Sequence, residues 1–214
     1  MIIAIDGPAG VGKSTVSRRV AEELGIPYIN SGNFYRAITY AHLQAGIDLE
    51  DERLLIATAE NIQLTLVDGR INLCGNDVED HLHTDTIDLW VAPHSAIVRI
   101  RHIVNNTIRN AISNLDAVIE GRDIGTVVYP DASIKVYMDA SVEVRAQRRH
   151  NQGTSGKTLD ALKASISARD QIDRTKQEGS LKIAEGALYL DTSLLTIEEV
   201  CETVIRQIRE SIPQ

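Results

Sequence analysis

The chain has 214 residues and carries 22 Lys and Arg against 30 Asp and Glu, a net charge of −8. That balance argues against a protein built to coat DNA or an anionic membrane, since both need a basic surface, and leaves room for a small basic pocket. An aromatic content of 4 % argues against a base-stacking nucleic-acid platform, whereas 43 % hydrophobic residues suffice for the core of one domain, or of one domain with a large insertion.

No apolar run approaches the ~20 residues that a bilayer span requires. The start, Met1-Ile2-Ile3-Ala4-Ile5-Asp6, has no basic leader and reaches an acid at once, unlike a signal peptide. Cys74 and Cys201 stand far apart without a Cys-x-x-Cys partner and are expected to be two buried, reduced thiols. A soluble, cytoplasmic protein is the expectation.

Ile2–Ile5 reads as a buried parallel strand running into a glycine-rich turn. Ser14–Leu24 follows as a helix, with Val16, Val20, Ala21 and Leu24 on one face and Gly25 as its stop. Pro27–Ile29 is a second strand, and Tyr35–Leu43 a second amphipathic segment. This βαβ opening predicts an α/β fold, a parallel sheet with helices on both faces. The period then changes. Ile62–Val67 and Arg70–Leu73 alternate around Asp68-Gly69, the strongest short-range hairpin signal. A hairpin has no place inside a doubly wound sheet, so residues 42–98 read as an inserted subdomain, with the core in 1–41 and 99–214. A helix over Ile97–Ser113 leads back to strands at Ala117–Ile119, Ile134–Met138 and Ala187–Leu190. Ser141–His150 and Leu159–Gln177 read as helices around a polar loop, Asn151–Lys157. The last helix opens at Thr196 with Glu199 three residues on, a capping box, and turns Ile197, Val200, Cys201, Val204, Ile205 and Ile208 inward.

Gly7-Pro8-Ala9-Gly10-Val11-Gly12-Lys13-Ser14 matches G-x-x-x-x-G-K-[ST] between a predicted strand and a predicted helix, the context a P-loop requires. Glycines let backbone N–H groups converge on phosphate oxygens, and the helix start adds its positive dipole end. Lys13 is expected to reach the β- and γ-phosphates of ATP from a solvent-exposed position, and the Ser14 hydroxyl to ligate Mg²⁺. Gly153–Thr158 imitates the end of the motif, but Asn151 stands where the first glycine belongs and no strand precedes it, so it reads as a loop.

No Asn-Lys-x-Asp tetrapeptide, the base reader of guanine switches, occurs. Arginines gather instead near predicted loop ends: Arg36, Arg101, Arg122, Arg145, Arg148, Arg149 and Arg169. Transfer between two phosphates brings two polyanions together and needs cations around both. Arg122 follows an apolar strand directly, where ligands bind in such sheets. Arg169, Asp173 and Lys176 recur at i, i+4 and i+7, on one face of one helix. His81-Leu82-His83 lacks a third ligand and reads as ordinary surface histidines, not a metal site.

Ile5–Thr15, Ser31-Gly32-Asn33-Phe34-Tyr35-Arg36-Ala37, Glu120-Gly121-Arg122-Asp123-Ile124-Gly125-Thr126-Val127-Val128-Tyr129-Pro130-Asp131-Ala132 and Arg169-Asp170-x-x-Asp173 together resemble bacterial cytidylate kinases, a family of P-loop nucleoside monophosphate kinases. The resemblance runs nearly the whole chain. It implies transfer of the γ-phosphoryl group of ATP to CMP or dCMP with Mg²⁺, an insertion that binds the nucleoside monophosphate, and a lid at about 149–160. It also implies roles. Gly7, Pro8, Ala9, Gly10, Val11, Gly12, Lys13, Ser14 and Thr15 would cradle ATP, joined by Arg145, Arg148 and Arg149 from the lid. Ser31, Arg101 and Asp123 would read cytosine, with Tyr35 and Lys176 also in the acceptor site. Arg36 and Arg122 would grip the acceptor phosphate, and Arg169 and Asp173 the pentose hydroxyls or the phosphates. Lys13, Arg122, Asp123, Arg169 and Asp173 form the catalytic set. Cytosine's exocyclic amine and two acceptors suit a carboxylate or hydroxyl with a guanidinium.

Two positions leave the family pattern. Ala92 stands where a pentose-binding serine is usual, and Lys176 where an arginine is, followed by Ser180-Leu181 instead of Pro-Leu. Besides a cytidylate kinase, the sequence leaves open a kinase for another nucleoside monophosphate, UMP or AMP, and a non-catalytic ATP-binding regulatory protein. A monomer acting on free nucleotides, without nucleic-acid polymer or membrane, is expected.

Overall fold

The computed structural model describes residues 1–113, 115–153 and 156–211. Two compact units emerge, Met1–Ile29 with Asp116–Gln214, and Asn30–Leu115. The 42–98 insertion expected from the sequence falls within the second. That unit's borders lie further out because the helices on either side of the insertion pack upon it.

In the first unit, β1 (Ile2–Asp6) is the middle strand of a five-stranded sheet that also holds β2 (Tyr28–Asn30), β6 (Ala117–Gly121), β7 (Ile134–Asp139) and β8 (Leu188–Asp191), in the order β2-β6-β1-β7-β8. β1 runs parallel to both neighbours, with Ile2 opposite Ala117 and Ile3 opposite Ile134, and β7 runs parallel to β8. Strands buried on both faces are apolar throughout, which is why Ile3, Ala4 and Ile5 show no alternation and no exposure. α1 (Lys13–Leu24) and α8 (Ile197–Ser211) bring Val16, Val20, Val200, Cys201, Val204 and Ile208 onto Ile3, Ile5, Val118, Val136 and Met138. Each such side chain contributes roughly 1.5–3 kcal/mol by leaving water. The capping box forms: Thr196 Oγ1 accepts the Glu199 N–H at 3.2 Å, and the Thr196 N–H donates to Glu199 Oε2 at 2.8 Å. α6 (Val142–Asn151) and α7 (Leu159–Thr175) pack on each other. α7 stops two residues short of the expected Gln177. At Lys176 the backbone turns extended (φ −52°, ψ 140°), and the Leu181 N–H returns to the Asp173 carbonyl at 2.7 Å. The polar loop expected over Asn151–Lys157 begins later, since Asn151 ends α6; its Thr154 and Ser155, also part of the expected lid, lie outside the described residues.

The second unit contains α2 (Ser31–Gln44), α3 (Glu52–Asn61), β3 (Leu64–Val67), β4 (Arg70–Leu73), β5 (Asn76–Asp77), α4 (Asp85–His94) and α5 (Val98–Ala111). The hairpin stands as read, with Val67 opposite Arg70 and Asp68 at a positive φ of 51°, as a type I′ turn demands. A short third strand extends it, and α3 and α4 are additions to the sequence reading. Cys74 is not buried: it sits exposed in the β4–β5 turn at φ 49°, while Cys201 is buried as expected, and neither is in a disulfide.

α2, α3 and α4 meet around two buried histidines, His42 and His94, with ring centroids 5.4 Å apart. His42 Nε2 lies 3.0 Å from the Leu55 carbonyl, an acceptor only, so that nitrogen carries the proton and Nδ1 is left without a partner. Burial, then the neighbouring His94, push His42 down to about 4. Its folded value lies below the unfolded one, so the stability it confers is fully present above pH ~6.5 and erodes as pH falls towards 4. Between pH 7 and pH 5 the wild type is expected to lose about 2 kcal/mol from this group. Urea unfolding at both pH values should show the loss shrinking in His42→Gln. An identical pH response in the variant would refute the assignment.

Candidate active site

The turn between β1 and α1 has the form that phosphate binding requires. Gly7 takes φ 152°, and a Cβ there would lie 2.1 Å from the Met138 carbonyl oxygen, so β7 leaves room for glycine alone. Lys13 departs from expectation. It is only 6 % exposed, and its Nζ donates to the Pro8 carbonyl at 2.7 Å, folded over the turn. Burial, with the charges of Arg122 and Arg169 nearby, pushes its ammonium well below the ordinary lysine range. The Pro8 acceptor holds it there, the charges of Glu120 and Asp6 partly offset those of the arginines, and a polyphosphate would add further counter-charge.

At the carboxyl end of β6, Glu120 was not singled out from the sequence. It is 2 % exposed, and its Oε1 accepts the Ser14 hydroxyl at 2.7 Å and the Tyr28 hydroxyl at 2.6 Å. The available signal was an acid closing an apolar strand. Asp6 also went unassigned. Its two carboxylate oxygens accept separate backbone N–H groups, Ile124 at 2.9 Å and Gly125 at 2.8 Å, so β1 fixes the turn that carries Asp123. Burial raises Asp6 to about 6 against the pull of those two N–H groups, and the charge of Asp123 adds to the rise. A π-helical turn, Ile124–Val128, follows; the Asp123 carbonyl accepts Val127 N–H at 2.8 Å and Val128 N–H at 3.2 Å.

Of the stripe expected on one helix face, Arg169 and Asp173 lie on α7 and Lys176 just past its end, and with Arg122 they form a cation cluster built on one carboxylate. Asp173 receives Lys176 Nζ at 2.6 Å and Arg122 Nε at 2.9 Å, and Arg169 Nε lies 3.9 Å away. Burial alone would raise the Asp173 carboxyl; the charges of Arg122, Lys176 and Arg169 outweigh it and hold it well below the usual carboxylate range. Lys176 is therefore a buried member of the cluster and not a solvated residue.

The arginines expected to serve ATP from the lid have partners within the protein. Arg145 is 2 % exposed and bonded to Ala140, Ala9 and Asp170. Arg148 donates to the Val11 carbonyl at 3.2 Å and to Thr192, and Arg149 is half-buried on the same helix.

In the second unit, α2 begins at Ser31, capped by Asn30 Oδ1 on the Gly32 N–H at 2.9 Å. Ser31, Tyr35 and Arg36 are buried on it. The Arg36 guanidinium is oriented by the Leu82 carbonyl at 3.0 Å and Asp88 Oδ1 at 2.6 Å. Arg101 on α5, 2 % exposed, lies over the Tyr35 ring at 5.7 Å and donates to the Ser95 carbonyl at 3.2 Å, while Tyr35 OH reaches Asn105 Oδ1 at 3.3 Å. Ser31, Tyr35, Arg36 and Arg101 thus belong to one unit, and the P-loop, Arg122, Asp123, Arg169, Asp173 and Lys176 to the other. Ala92 is buried on α4. His81 and His83 are exposed, His81 stacked on Tyr40, and among the described residues no group of three or more His, Cys, Asp or Glu is placed to hold a metal.

A parallel sheet with a glycine-rich phosphate turn after its central strand defines a P-loop kinase fold. The likeness extends to the solved shikimate kinase of Bacteroides thetaiotaomicron, at a TM-score of 0.50 and 13 % identity over 98 % of this chain and 97 % of that one. The cytidylate kinase family model matches residues 3–210, and the chain belongs to that family. It is 41 % identical to cytidylate kinase 1 of Borrelia garinii subsp. bavariensis, over 97 % of this chain and 96 % of the relative. It is 42 % identical to the cytidylate kinase of Borrelia duttonii, over 96 % and 97 %. No helix among the described residues is long and apolar enough to cross a membrane.

Proposed function

We propose that this kinase transfers the γ-phosphoryl group of ATP to CMP or dCMP, giving ADP and the nucleoside diphosphate. The observation that carries the reading is a complete phosphate turn in one unit with a separate cation cluster, Arg122, Arg169 and Lys176, organised by Asp173. Transfer between two anions is positioning and charge neutralisation, and the acceptor phosphate, already ionised, needs no strong base.

The turn's N–H groups and Lys13 hold the donor phosphates, with Arg148 and Arg149 as further cations. Arg36 and Arg122 take the acceptor phosphate. Ser31, Arg101 and Asp123 read cytosine, Tyr35 backing Arg101, and Arg169 and Asp173 serve the pentose hydroxyls or the phosphates. Ser14 and Glu120, two hard oxygen donors 2.7 Å apart, fit a Mg²⁺ ion, which when bound neutralises phosphate oxygens. Uracil reverses donor and acceptor on two of the edges a cytosine pocket reads and would leave buried groups unpaired. Net charge −8 supports action on free nucleotides and not on a nucleic-acid polymer; the reading includes a cytoplasmic monomer. A coupled assay of ADP release with CMP, dCMP, UMP and AMP tests it. CMP and dCMP should lead, and a preference for UMP or AMP, or no diphosphate product with any acceptor, would overturn it.

Lys176→Ala is expected to raise KM for CMP about tenfold, roughly 1.4 kcal/mol, and Lys176→Arg to stay near wild type because the charge persists. Wild-type kinetics for Lys176→Ala would remove Lys176 from the acceptor site.

A further inference from the structure

Backbone N–H groups that converge on a phosphate leave the neighbouring carbonyls of the same turn facing outward, where each needs a donor. Three of these carbonyls have side-chain donors: Lys13 on Pro8, Arg145 Nη1 on Ala9 at 3.1 Å, and Arg148 Nη1 on Val11 at 3.2 Å, the last shared with the Thr192 hydroxyl at 3.5 Å. Arg145 has the most built surroundings. Its Nε donates to the Ala140 carbonyl at 2.9 Å, and its two Nη atoms form a fork on Asp170, at 3.1 and 2.6 Å. Arg145 is 2 % exposed and Asp170 7 %. The turn also lies directly on α6 here: at Gly10, φ 79°, a Cβ would stand 3.3 Å from the Arg145 Cβ. Asp170 in turn precedes Asp173 by three residues on α7, so one helical turn carries both the carboxylate that anchors Arg145 and the carboxylate that gathers the acceptor cations.

We propose that Arg145 and Asp170 are positioning residues for ATP binding, which hold the outer carbonyl edge of the phosphate turn to α7, and that Arg145 is not itself a phosphate ligand. The proposal rests on the reading that the turn holds the phosphates of ATP. Every nitrogen of the Arg145 guanidinium already has a protein acceptor, and reaching a phosphate would break a buried bidentate pair. The planar fork with a third bond to Ala9 fixes the turn's height and tilt, which a lysine's point charge cannot do.

The test is calorimetric titration with a non-hydrolysable ATP analogue, AMP-PNP, and Mg²⁺, beside a CMP titration and thermal melting. The two roles predict opposite signs for Asp170→Asn. As a positioning residue, Asp170 should cost at least about tenfold in AMP-PNP affinity when its fork is lost, with CMP affinity within twofold. Were Arg145 a phosphate ligand, releasing it from Asp170 would leave AMP-PNP binding unchanged or tighter, and that result overturns the proposal. Arg145→Lys should weaken AMP-PNP similarly. If Asp170→Asn does not fold, the apolar pair Arg145→Met with Asp170→Leu keeps the packing of the buried site. That folded pair should still bind AMP-PNP at least about tenfold more weakly, and wild-type affinity in it would reduce Arg145–Asp170 to a stability element and overturn the proposal. A wild-type protein that binds no AMP-PNP would refute the ATP reading itself, a result separable from unchanged binding in the variants.

Discussion

Lys13→Ala is expected to lower kcat by at least about a hundredfold while leaving the fold intact, because it deletes a cation aimed at charge that develops during transfer. Lys13 is held inside the turn by the Pro8 carbonyl at 2.7 Å, with 6 % exposure. Its loss leaves one carbonyl to water, a cost of about 1 kcal/mol that folding should survive. Burial also makes the lysine an unusually strong partner for a polyphosphate, since charge pairs gain force where water is thin. Circular dichroism with initial rates of ADP release separates folding from catalysis. A folded variant within tenfold of wild type would remove Lys13 from the reaction.

Asp173→Ala should be the most destabilising single change in the cation cluster. Lys176 and Arg122 reach Asp173 at 2.6 and 2.9 Å, and the side chains of Asp173 and Lys176 are each 3 % exposed. Deleting the carboxylate leaves like charges facing one another, Lys176 almost without water, and breaking a buried pair from one side costs roughly 3–5 kcal/mol. Asp173→Asn, which keeps the shape and some hydrogen bonding, should lose less. Inorganic phosphate should restore part of the stability, because the cluster then acquires an anion. Urea titrations with and without phosphate measure this. A loss under about 1 kcal/mol for Asp173→Ala would mean the cations find other partners and that Asp173 does not organise them.

The sheet and the phosphate turn were legible because their signals are local. A four-residue apolar run before glycines, the G-x-x-x-x-G-K-S spacing, and a capping box at Thr196 each carry their own geometry. Helical spacing accounts for Arg169 and Asp173 on one face of α7, but not for Lys176, which stands just past the helix end where the backbone has turned extended and still reaches the same carboxylate. Partner identity was not legible. That Asp6 holds the turn after Asp123, that Glu120 meets Ser14, and that Arg145 belongs to Asp170 depend on strands and helices far apart in sequence. Lys13 and Cys74 were misjudged for related reasons. A lysine's aliphatic stem can bury where a carbonyl waits, and a cysteine's apolar character does not prevail in a tight turn.

The placement of β1 has a consequence for how the chain acquires its structure. Ile2 pairs with Ala117 and Ile3 with Ile134, so both neighbours of β1 lie more than a hundred residues further along the chain. Leu64 with Leu73, and Leu73 with Asn76, close within a dozen residues. Distant pairing pays its loop entropy before any contact rewards it, whereas near pairing does not. β1 is therefore expected to be among the last elements to be locked, and the phosphate turn with it. Pulsed hydrogen exchange during refolding should protect the amides of Leu64–Leu73 before those of Ile2–Asp6.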